Sequence, residues 1–233
     1  MKKLRIHYLQ HVSFEGLGCI EAWATSNGHE LTCTRFYEND PLPETARFDW
    51  LIVMGGPMGV YDEKKYAWLK SEKDFIRKTI ANNKTLIGIC LGSQLIADVL
   101  GCQIVRNKQK EIGWFDVELS AAGQKHVLFD EFEKKFKVFH WHGDTYHLTK
   151  DQIHLIKSEG CLNQAFIHSN NVLGLQFHFE VTPESLKGML EAGKHELIPD
   201  VYIQTEEEIL ANSEFMKKNN QMLFSILDKL EKI

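Results

Sequence analysis

The chain has 233 residues, of which 43% are hydrophobic and 25% charged, with only 5 Pro and 16 Gly, as in an ordinary globular protein. Its 27 Lys and Arg against 32 Asp and Glu give a net charge of −5, which disfavours a nucleic-acid partner. The longest nearly apolar run, residues 51–60, is too short to span a membrane, so we expect no membrane partner.

The N-terminal half alternates short apolar strands with amphipathic helices. Helices are predicted at residues 17–27 and 63–82, and strands at residues 4–11, 31–36, 50–54 and 85–89. This βαβ pattern predicts an α/β fold with a mainly parallel central sheet flanked by helices.

After Gly101 the pattern changes to short strands, which predicts antiparallel additions to the sheet. We expect these strands at residues 114–119, 136–140, 153–157, 165–168 and 172–177, with a charged, solvated loop at residues 108–111. Thr182 and Pro183 then open a helix that runs to about His195. The pattern predicts one domain over residues 1–195 and a C-terminal helical extension over residues 196–233, packed on the same domain.

The N-terminus and the cysteines both indicate a cytoplasmic protein. Arg5, His7 and Gln10 interrupt what would have to be the apolar core of a signal peptide. The five cysteines form an odd set without a C-x-x-C pair, so neither a disulfide framework nor a sulfur-rich zinc site is indicated. One of them is a candidate reactive thiol.

Cys90 stands in the setting of a nucleophile. The strand at residues 85–89 runs directly into a helix, and Gly88 and Gly92 flank Cys90 in a G-x-C-x-G elbow. The turn places the thiol at a helix N-terminus, where the helix dipole favours the reactive thiolate. The other four cysteines lack this setting and are expected in the core.

Two further motifs supply partners for such a thiol. His178 and Glu180 follow a predicted strand, and the alternation of strand residues puts both on the same side of the chain, as a base and its orienting acid. Gly55-Gly56-Pro57 ends another strand, where backbone N–H groups can stabilise an oxyanion. We therefore predict a Cys90–His178–Glu180 triad.

The three motifs together resemble the class I (triad) glutamine amidotransferase family, with a flavodoxin-like fold. The sequences of these motifs are most similar to those of stand-alone members that resemble the amidotransferase part of GMP synthase and to those of plant γ-glutamyl peptidases. The resemblance implies that Cys90 attacks the amide of glutamine and that the N–H groups of Gly56 and Leu91 hold the oxyanion. It also implies substrate contacts from three further residues, Gln94, Gly113 and Trp114.

The chain departs from the family's usual pattern at two positions. Phe179 stands between His178 and Glu180, where the family usually has Pro, and Met58 follows Gly-Gly-Pro where some members have Gly. Neither change removes a reacting atom, so the expected effect is on the shape of the pocket.

The mechanism implied by the resemblance is hydrolysis of the γ-amide through a γ-glutamyl thioester on Cys90, with His178 carrying protons and without a metal or other cofactor. Ammonia would pass to an acceptor, through a separate synthase subunit, because too few residues follow residue 195 for an acceptor domain.

Three alternatives remain open from the sequence. The same triad suits a free-standing γ-glutamyl peptidase or hydrolase that is fully active alone. The segment with His140, His142 and Asp144 resembles a metallo-hydrolase pattern, although Thr145 stands where the next His is needed. A non-enzymatic binding protein is the third class, and it is expected only where the triad is broken.

Overall fold

A computed structural model of the chain describes residues 3–233 as one mixed sheet with helices on both faces. The strands, in chain order, are β1 (Arg5–Gln10), β2 (Glu30–Arg35), β3 (Trp50–Val53), β4 (Thr85–Ile89), β5 (Gln103–Leu119), β6 (Lys135–His147), β7 (Gln152–Ser158), β8 (Ala165–His168) and β9 (Val172–Leu175). The helices are α1 (Cys19–Ser26), α2 (Trp68–Ala81), α3 (Leu91–Val99), α4 (Pro183–Gly193), α5 (Glu206–Ala211) and α6 (Phe215–Leu230).

The sheet has a parallel half and an antiparallel half. Its strand order within residues 3–233 is β2-β1-β3-β4-β9-β8-β7-β5-β6. The pairs from β2 to β9 are parallel and those from β9 to β6 are antiparallel. The predicted α/β fold with a parallel centre and antiparallel additions is confirmed.

Alternation along β3 shows how the sheet separates two cores. Trp50 and Ile52 pack on the face covered by α1 and α6, whereas Leu51 and Val53 pack on the face covered by α2 and α3. Strands buried on both faces read as continuous apolar runs, which is why the parallel strands were predictable. Of the helices in residues 3–233, none is long and apolar enough to cross a bilayer.

The antiparallel half differs from the sequence prediction in length and register. The strands predicted at 114–119 and 136–140 are parts of β5 and β6, which pair over most of their length with a register shift between Arg106 and Glu111. The charged loop expected at 108–111 is wrong, because these residues belong to β5 and Glu111 is fully buried. Glu111 can be buried because it has partners elsewhere in the chain, and the sequence alone does not show which residues these are.

Helix boundaries also shift where turns intervene. The helix predicted at 63–82 begins only at Trp68, after a short 3₁₀ turn at Asp62–Lys64. The strand predicted at 172–177 ends at Leu175. After residue 196 the chain reaches α5 and α6, and the apolar face of α6 joins the same core as α1, with Trp23 Nε1 donating to Asp228 at 2.7 Å.

Candidate active site

The carboxyl ends of three parallel strands meet at one edge of the sheet and bring the predicted motifs together. Cys90 follows β4, His178 follows β9, and Gly56 follows β3. All three line a cavity of about 650 Å³, together with Leu91 and Gln94. Sites at this edge are the rule for open parallel sheets.

Cys90 occupies a strained turn that the two glycines permit. Its φ is 51° and its ψ −110°, a conformation unusual for a residue with a side chain, at the N-terminus of α3. A β-carbon at Gly88 would lie 2.6 Å from the backbone of Gly92, and one at Gly92 would collide with the carbonyl of Val53. The sharp entry into α3 therefore depends on both glycines.

The environment of the thiol contains opposing influences. Burial raises the pKa of the Cys90 thiol, while the nearby imidazole of His178 and the N–H of Leu91 oppose that rise. The thiol donates a hydrogen bond to the carbonyl of Trp141 at 3.5 Å. The thiol is thus held inside the cavity, within the electrostatic reach of one imidazole.

His178 is bound on one side by an acid. Its Nδ1 lies 2.6 Å from Glu180 Oε1, and both side chains are almost fully buried. Burial alone lowers the pKa of His178, but the Glu180 carboxylate and the Cys90 thiol outweigh burial and hold the pKa well above its ordinary value. Nε2 of the ring has no hydrogen-bond partner within the described chain, which leaves it available for proton transfer.

Phe179, which stands where the family usually has Pro, lies in the core between the two site residues of its strand end. Its fully buried ring packs in the core next to Phe177, at a centroid distance of 4.8 Å, while His178 and Glu180 are directed to each other. Asn220 of α6 donates to the carbonyl of Phe179 at 2.8 Å. A residue of α6 therefore holds the backbone between the imidazole and its acid.

Gly18 allows the chain near α1 to approach Glu180. The N–H of Cys19 donates to the carbonyl of Glu180 at 2.8 Å, and Gly18 has a φ of 54°. A β-carbon at Gly18 would collide with that same carbonyl. Gly28 has a similar φ of 73°, but a β-carbon there would meet nothing within 4 Å.

We expect Gly18→Ala to destabilise the protein by more than Gly28→Ala and to reduce activity as well. The left-handed conformation alone costs roughly 1–2 kcal/mol in either variant. Only Gly18→Ala also displaces Glu180 from His178. Urea unfolding and turnover measured on both variants test this difference, and equal losses in the two would contradict the role of the Gly18–Glu180 contact.

The loop that carries Gly55 and Gly56 is held by a buried ion pair. His11 Nδ1 lies 2.9 Å from the carbonyl of Gly55, and its Nε2 lies 2.8 Å from Glu72 Oε1. Because a carbonyl and a carboxylate only accept hydrogen bonds, both ring nitrogens donate and the imidazole is cationic. Burial alone lowers the pKa of His11, but Glu72 outweighs burial and the net shift is upward.

Replacing Glu72 by Gln should lower stability by about 3 kcal/mol, because it leaves the His11 cation buried without its counter-charge. A raised pKa in the folded state stabilises the protein fully below the unfolded pKa of His, about 6.5, and this stabilisation is lost as the pH rises through the folded pKa. The loss in Glu72→Gln should therefore shrink towards alkaline pH.

Urea unfolding at several pH values measures this dependence. Glu63→Gln is the matched control, since Glu63 is an exposed partner of Lys73 and its loss should leave stability unchanged. A loss in Glu72→Gln that stays constant across the pH range would exclude His11 as the titrating group.

The structure does not bring every predicted substrate contact to the cavity. Gln94 lines it, with its side-chain amide donating to Gln176 at 3.1 Å. Trp114 is 1% exposed and packs in a separate apolar cluster, and Gly113 lies against Gln204. Neither residue lines the cavity, because β5 turns this part of its length towards α5 rather than towards Cys90.

The metal reading of His140, His142 and Asp144 is not supported by the geometry. The Asp144 carboxylate accepts from the Tyr61 hydroxyl at 2.6 Å, and His142 Nε2 lies 3.0 Å from Glu111 instead. Within residues 3–233 the ligand atoms that do converge, to within 4.8 Å, belong to Glu111, His142 and Cys161.

That converging group is a hydrogen-bonded core. Glu111 accepts from Ser158 and from Gln164, each at 2.7 Å, and burial raises the pKa of the Cys161 thiol to about 11. The hydrogen bonds to Glu111 account for the close approach of these groups within the core. The network instead fixes His142, which lines the cavity.

Sequence reasoning missed His11, Glu15 and Trp141. His11 directly follows β1, and Glu15 lies further along the loop between β1 and α1. Trp141 belongs to β6, and its backbone carbonyl accepts the hydrogen bond from the Cys90 thiol. The rule that sites form at the carboxyl ends of parallel strands would have indicated the first two. No motif in the sequence indicated Trp141.

Comparisons with known proteins indicate the family to which the chain belongs. A family model described as glutamine amidotransferase class-I matches residues 20–195. The chain is 34% identical to the glutamine amidotransferase-like protein YfeJ of Salmonella typhimurium, over 97% of each chain. It is 29% identical to a GMP synthase of Borreliella burgdorferi over 61% of this chain, which spans only 27% of that relative.

A solved structure extends the likeness to the fold. The crystal structure of a glutamine amidotransferase from Thermotoga maritima superposes with a TM-score of 0.89 and 31% identity, covering 99% of both chains. The Cys90 elbow, the motif around His178 and the sheet order thus occur in a chain that belongs to the class-I glutamine amidotransferase family.

Proposed function

We propose that the protein hydrolyses the γ-amide bond of glutamine or of a γ-glutamyl compound, with Cys90 as nucleophile. The observation that carries the proposal is the His178–Glu180 hydrogen bond of 2.6 Å in the same cavity as the strained thiol of Cys90. A nucleophile, a base and an orienting acid in this arrangement support acyl transfer.

The proposed reaction begins with transfer of the thiol proton to His178 and attack of the thiolate on the γ-carbonyl carbon. The tetrahedral oxyanion is held by the N–H groups of Gly56 and Leu91. Support for the first donor comes from the described chain, in which the N–H of Gly56 donates to no other group. His178 then returns the proton to the departing nitrogen as the C–N bond breaks.

The second half removes the γ-glutamyl group from sulfur. A water molecule gives a proton to His178 and attacks the thioester carbon, and the C–S bond breaks. Glutamate leaves, and Cys90 regains its proton. Ammonia released in the first half would pass to an acceptor, and a separate synthase subunit is the partner that such a reaction requires.

The size of the cavity favours a second candidate, a free-standing γ-glutamyl peptidase or hydrolase. About 650 Å³ lies within the range of sites for ligands of drug size and exceeds what free glutamine needs. The extra space suits an amine or peptide on the leaving side of the γ-amide bond.

One assay tests the proposal and separates the candidates. The protein is incubated with glutamine and with a panel of γ-glutamyl peptides and conjugates, while glutamate and ammonia release are measured and the acyl-enzyme is trapped for mass spectrometry. An amidotransferase subunit should show weak glutaminase activity, whereas a hydrolase should turn over one conjugate rapidly alone. Absence of a γ-glutamyl adduct on Cys90 with every compound would refute both.

A further inference from the structure

One acidic side chain in the cavity has no hydrogen-bond partner among residues 3–233. Three of the carboxylates that line the cavity are already engaged: Asp62 accepts from the N–H of Gly59, Asp144 from the hydroxyl of Tyr61, and Glu196 from the indole N–H of Trp141. The side chain of Glu15, in contrast, makes no hydrogen bond or ion pair to any residue of the described chain. It is therefore the cavity carboxylate that remains free to meet a ligand.

Glu15 lies beside the reacting groups rather than at the rim. A β-carbon added at Gly55 would overlap Glu15 Oε2 and would lie 3.3 Å from Cε1 of His178. Gly55 immediately precedes Gly56, the proposed oxyanion donor. The carboxylate thus lies next to both the oxyanion loop and the imidazole.

The backbone of the loop between β1 and α1, which carries Glu15, is braced by side-chain hydrogen bonds. The side-chain amide of Gln10 donates to the carbonyls of Val12 and Ser13, at 3.0 and 3.3 Å. Gly16 packs next to the same amide, since a β-carbon there would lie 3.6 Å from it. A side chain held on a braced loop is suited to recognition because little order is lost on binding.

The environment of Glu15 favours a ligand that brings positive charge. Burial raises the pKa of its carboxyl group, and the nearby acids Glu180 and Glu196 act in the same direction. The imidazoles of His178 and His11 oppose this rise. Neither imidazole forms an ion pair or hydrogen bond with Glu15, so a cationic group of the ligand that reaches this carboxylate gains a charge-assisted contact there.

A γ-glutamyl group carries such a cation at a suitable distance. Its α-ammonium nitrogen is four bonds from the γ-carbonyl carbon, roughly 5 Å when extended. We propose that Glu15 binds the α-ammonium group of the substrate and selects γ-glutamyl compounds over amides that lack it. The inference rests on the proposed function, because that function supplies the γ-glutamyl ligand.

The test compares two substrates that differ only in this group. L-glutamine and glutaramate, which lacks the α-amino group, are assayed with the wild-type protein and with Glu15→Gln. The wild type should prefer L-glutamine by roughly 10- to 100-fold in kcat/KM, the value of a hydrogen bond to a charged group. Glu15→Gln should lose most of this preference through a higher KM for L-glutamine, with glutaramate kinetics near those of the wild type.

Asp62→Asn is the matched control, since it removes the same charge from the same cavity while the amide oxygen still accepts from Gly59. It should keep the wild-type preference. An unchanged preference in Glu15→Gln would overturn the inference. So would an equal slowing of both substrates with a shifted pH dependence of Cys90 alkylation, because Glu15 would then tune the thiol instead of binding substrate.

Binding measurements separate this inference from the proposed function. Calorimetry on Cys90→Ala, which retains Glu15 but cannot turn over, should show tighter binding of L-glutamine than of glutaramate, and adding Glu15→Gln should remove the difference. Equal binding of the two ligands to Cys90→Ala overturns the inference whatever the wild type hydrolyses. Failure of the proposed function is seen separately, as a missing γ-glutamyl adduct on Cys90.

Discussion

Cys90→Ala should abolish hydrolysis of glutamine and of γ-glutamyl compounds, with a loss of about 10⁴-fold or more in kcat. Removing the nucleophile of a covalent mechanism has effects of this size in enzymes of the same logic. The fold should persist, because alanine is compatible with the space of a buried cysteine and Gly88 and Gly92 still permit the turn. Ammonia and glutamate release, together with near-ultraviolet circular dichroism, measure both expectations.

Cys33→Ala is the matched control for this variant. Cys33 lies half-buried on β2 and does not line the cavity, so its loss should leave turnover at the wild-type level. Full turnover by Cys90→Ala would remove Cys90 from the mechanism. Equal inactivation of both variants would indicate a general effect of losing a cysteine.

Glu180→Gln should reduce kcat by roughly 10²- to 10⁴-fold without unfolding the protein. Gln keeps the shape of the side chain but presents no charge to Nδ1 of His178, so the ring loses both its orientation and the stabilisation of its cationic form. The exposed acid Glu184, at the start of α4, is the control, and Glu184→Gln should retain full activity.

The pH dependence of activity should also change in a defined direction in Glu180→Gln. Glu180 raises the pKa of His178, so removing it lowers that pKa and moves the alkaline limb of the profile to lower pH. The His178 cation in turn opposes the rise in the pKa of Cys90, so its loss moves the acidic limb upward. The bell-shaped dependence of activity on pH should therefore become narrower, because its acidic limb moves up and its alkaline limb moves down in pH.

Alkylation of Cys90 by iodoacetamide as a function of pH measures the second shift without a substrate. The thiolate should form at higher pH in Glu180→Gln than in the wild type. If Glu180→Gln left the pH dependence of activity unchanged, or left the pH dependence of Cys90 alkylation unchanged, Glu180 would be excluded as the acid that supports His178.

The parallel half of the fold was predictable because its strands can be identified from short stretches of sequence. Strands such as β3 and β4 are buried on both faces, so continuous apolar runs identify them. The antiparallel half carries polar residues whose partners come from distant elements. From sequence Glu111 is predicted in a charged loop, whereas in the structure Ser158 and Gln164, which are distant along the chain, donate hydrogen bonds to it.

The same distinction holds for the candidate site. Gly88, Cys90 and Gly92 form a local turn whose geometry follows from spacing, and His178 and Glu180 lie two residues apart. Glu15 and His11 have no such signature, because their roles depend on the loop of Gly55 approaching from another strand. Trp114 does not line the cavity, and this was not predictable because sequence does not tell which side of a long strand faces the cavity.

The adjacency of β4 and β9 has a consequence for how the protein is made. These neighbours in the sheet are separated along the chain by β5, β6, β7 and β8, so β4 has a free edge until the last strand is synthesised and inserted. A ribosome that stalls before residue 172 would release a fragment that contains Cys90 but lacks His178. Such a fragment would expose the backbone of β4 for pairing with other chains, so incomplete translation should yield aggregates.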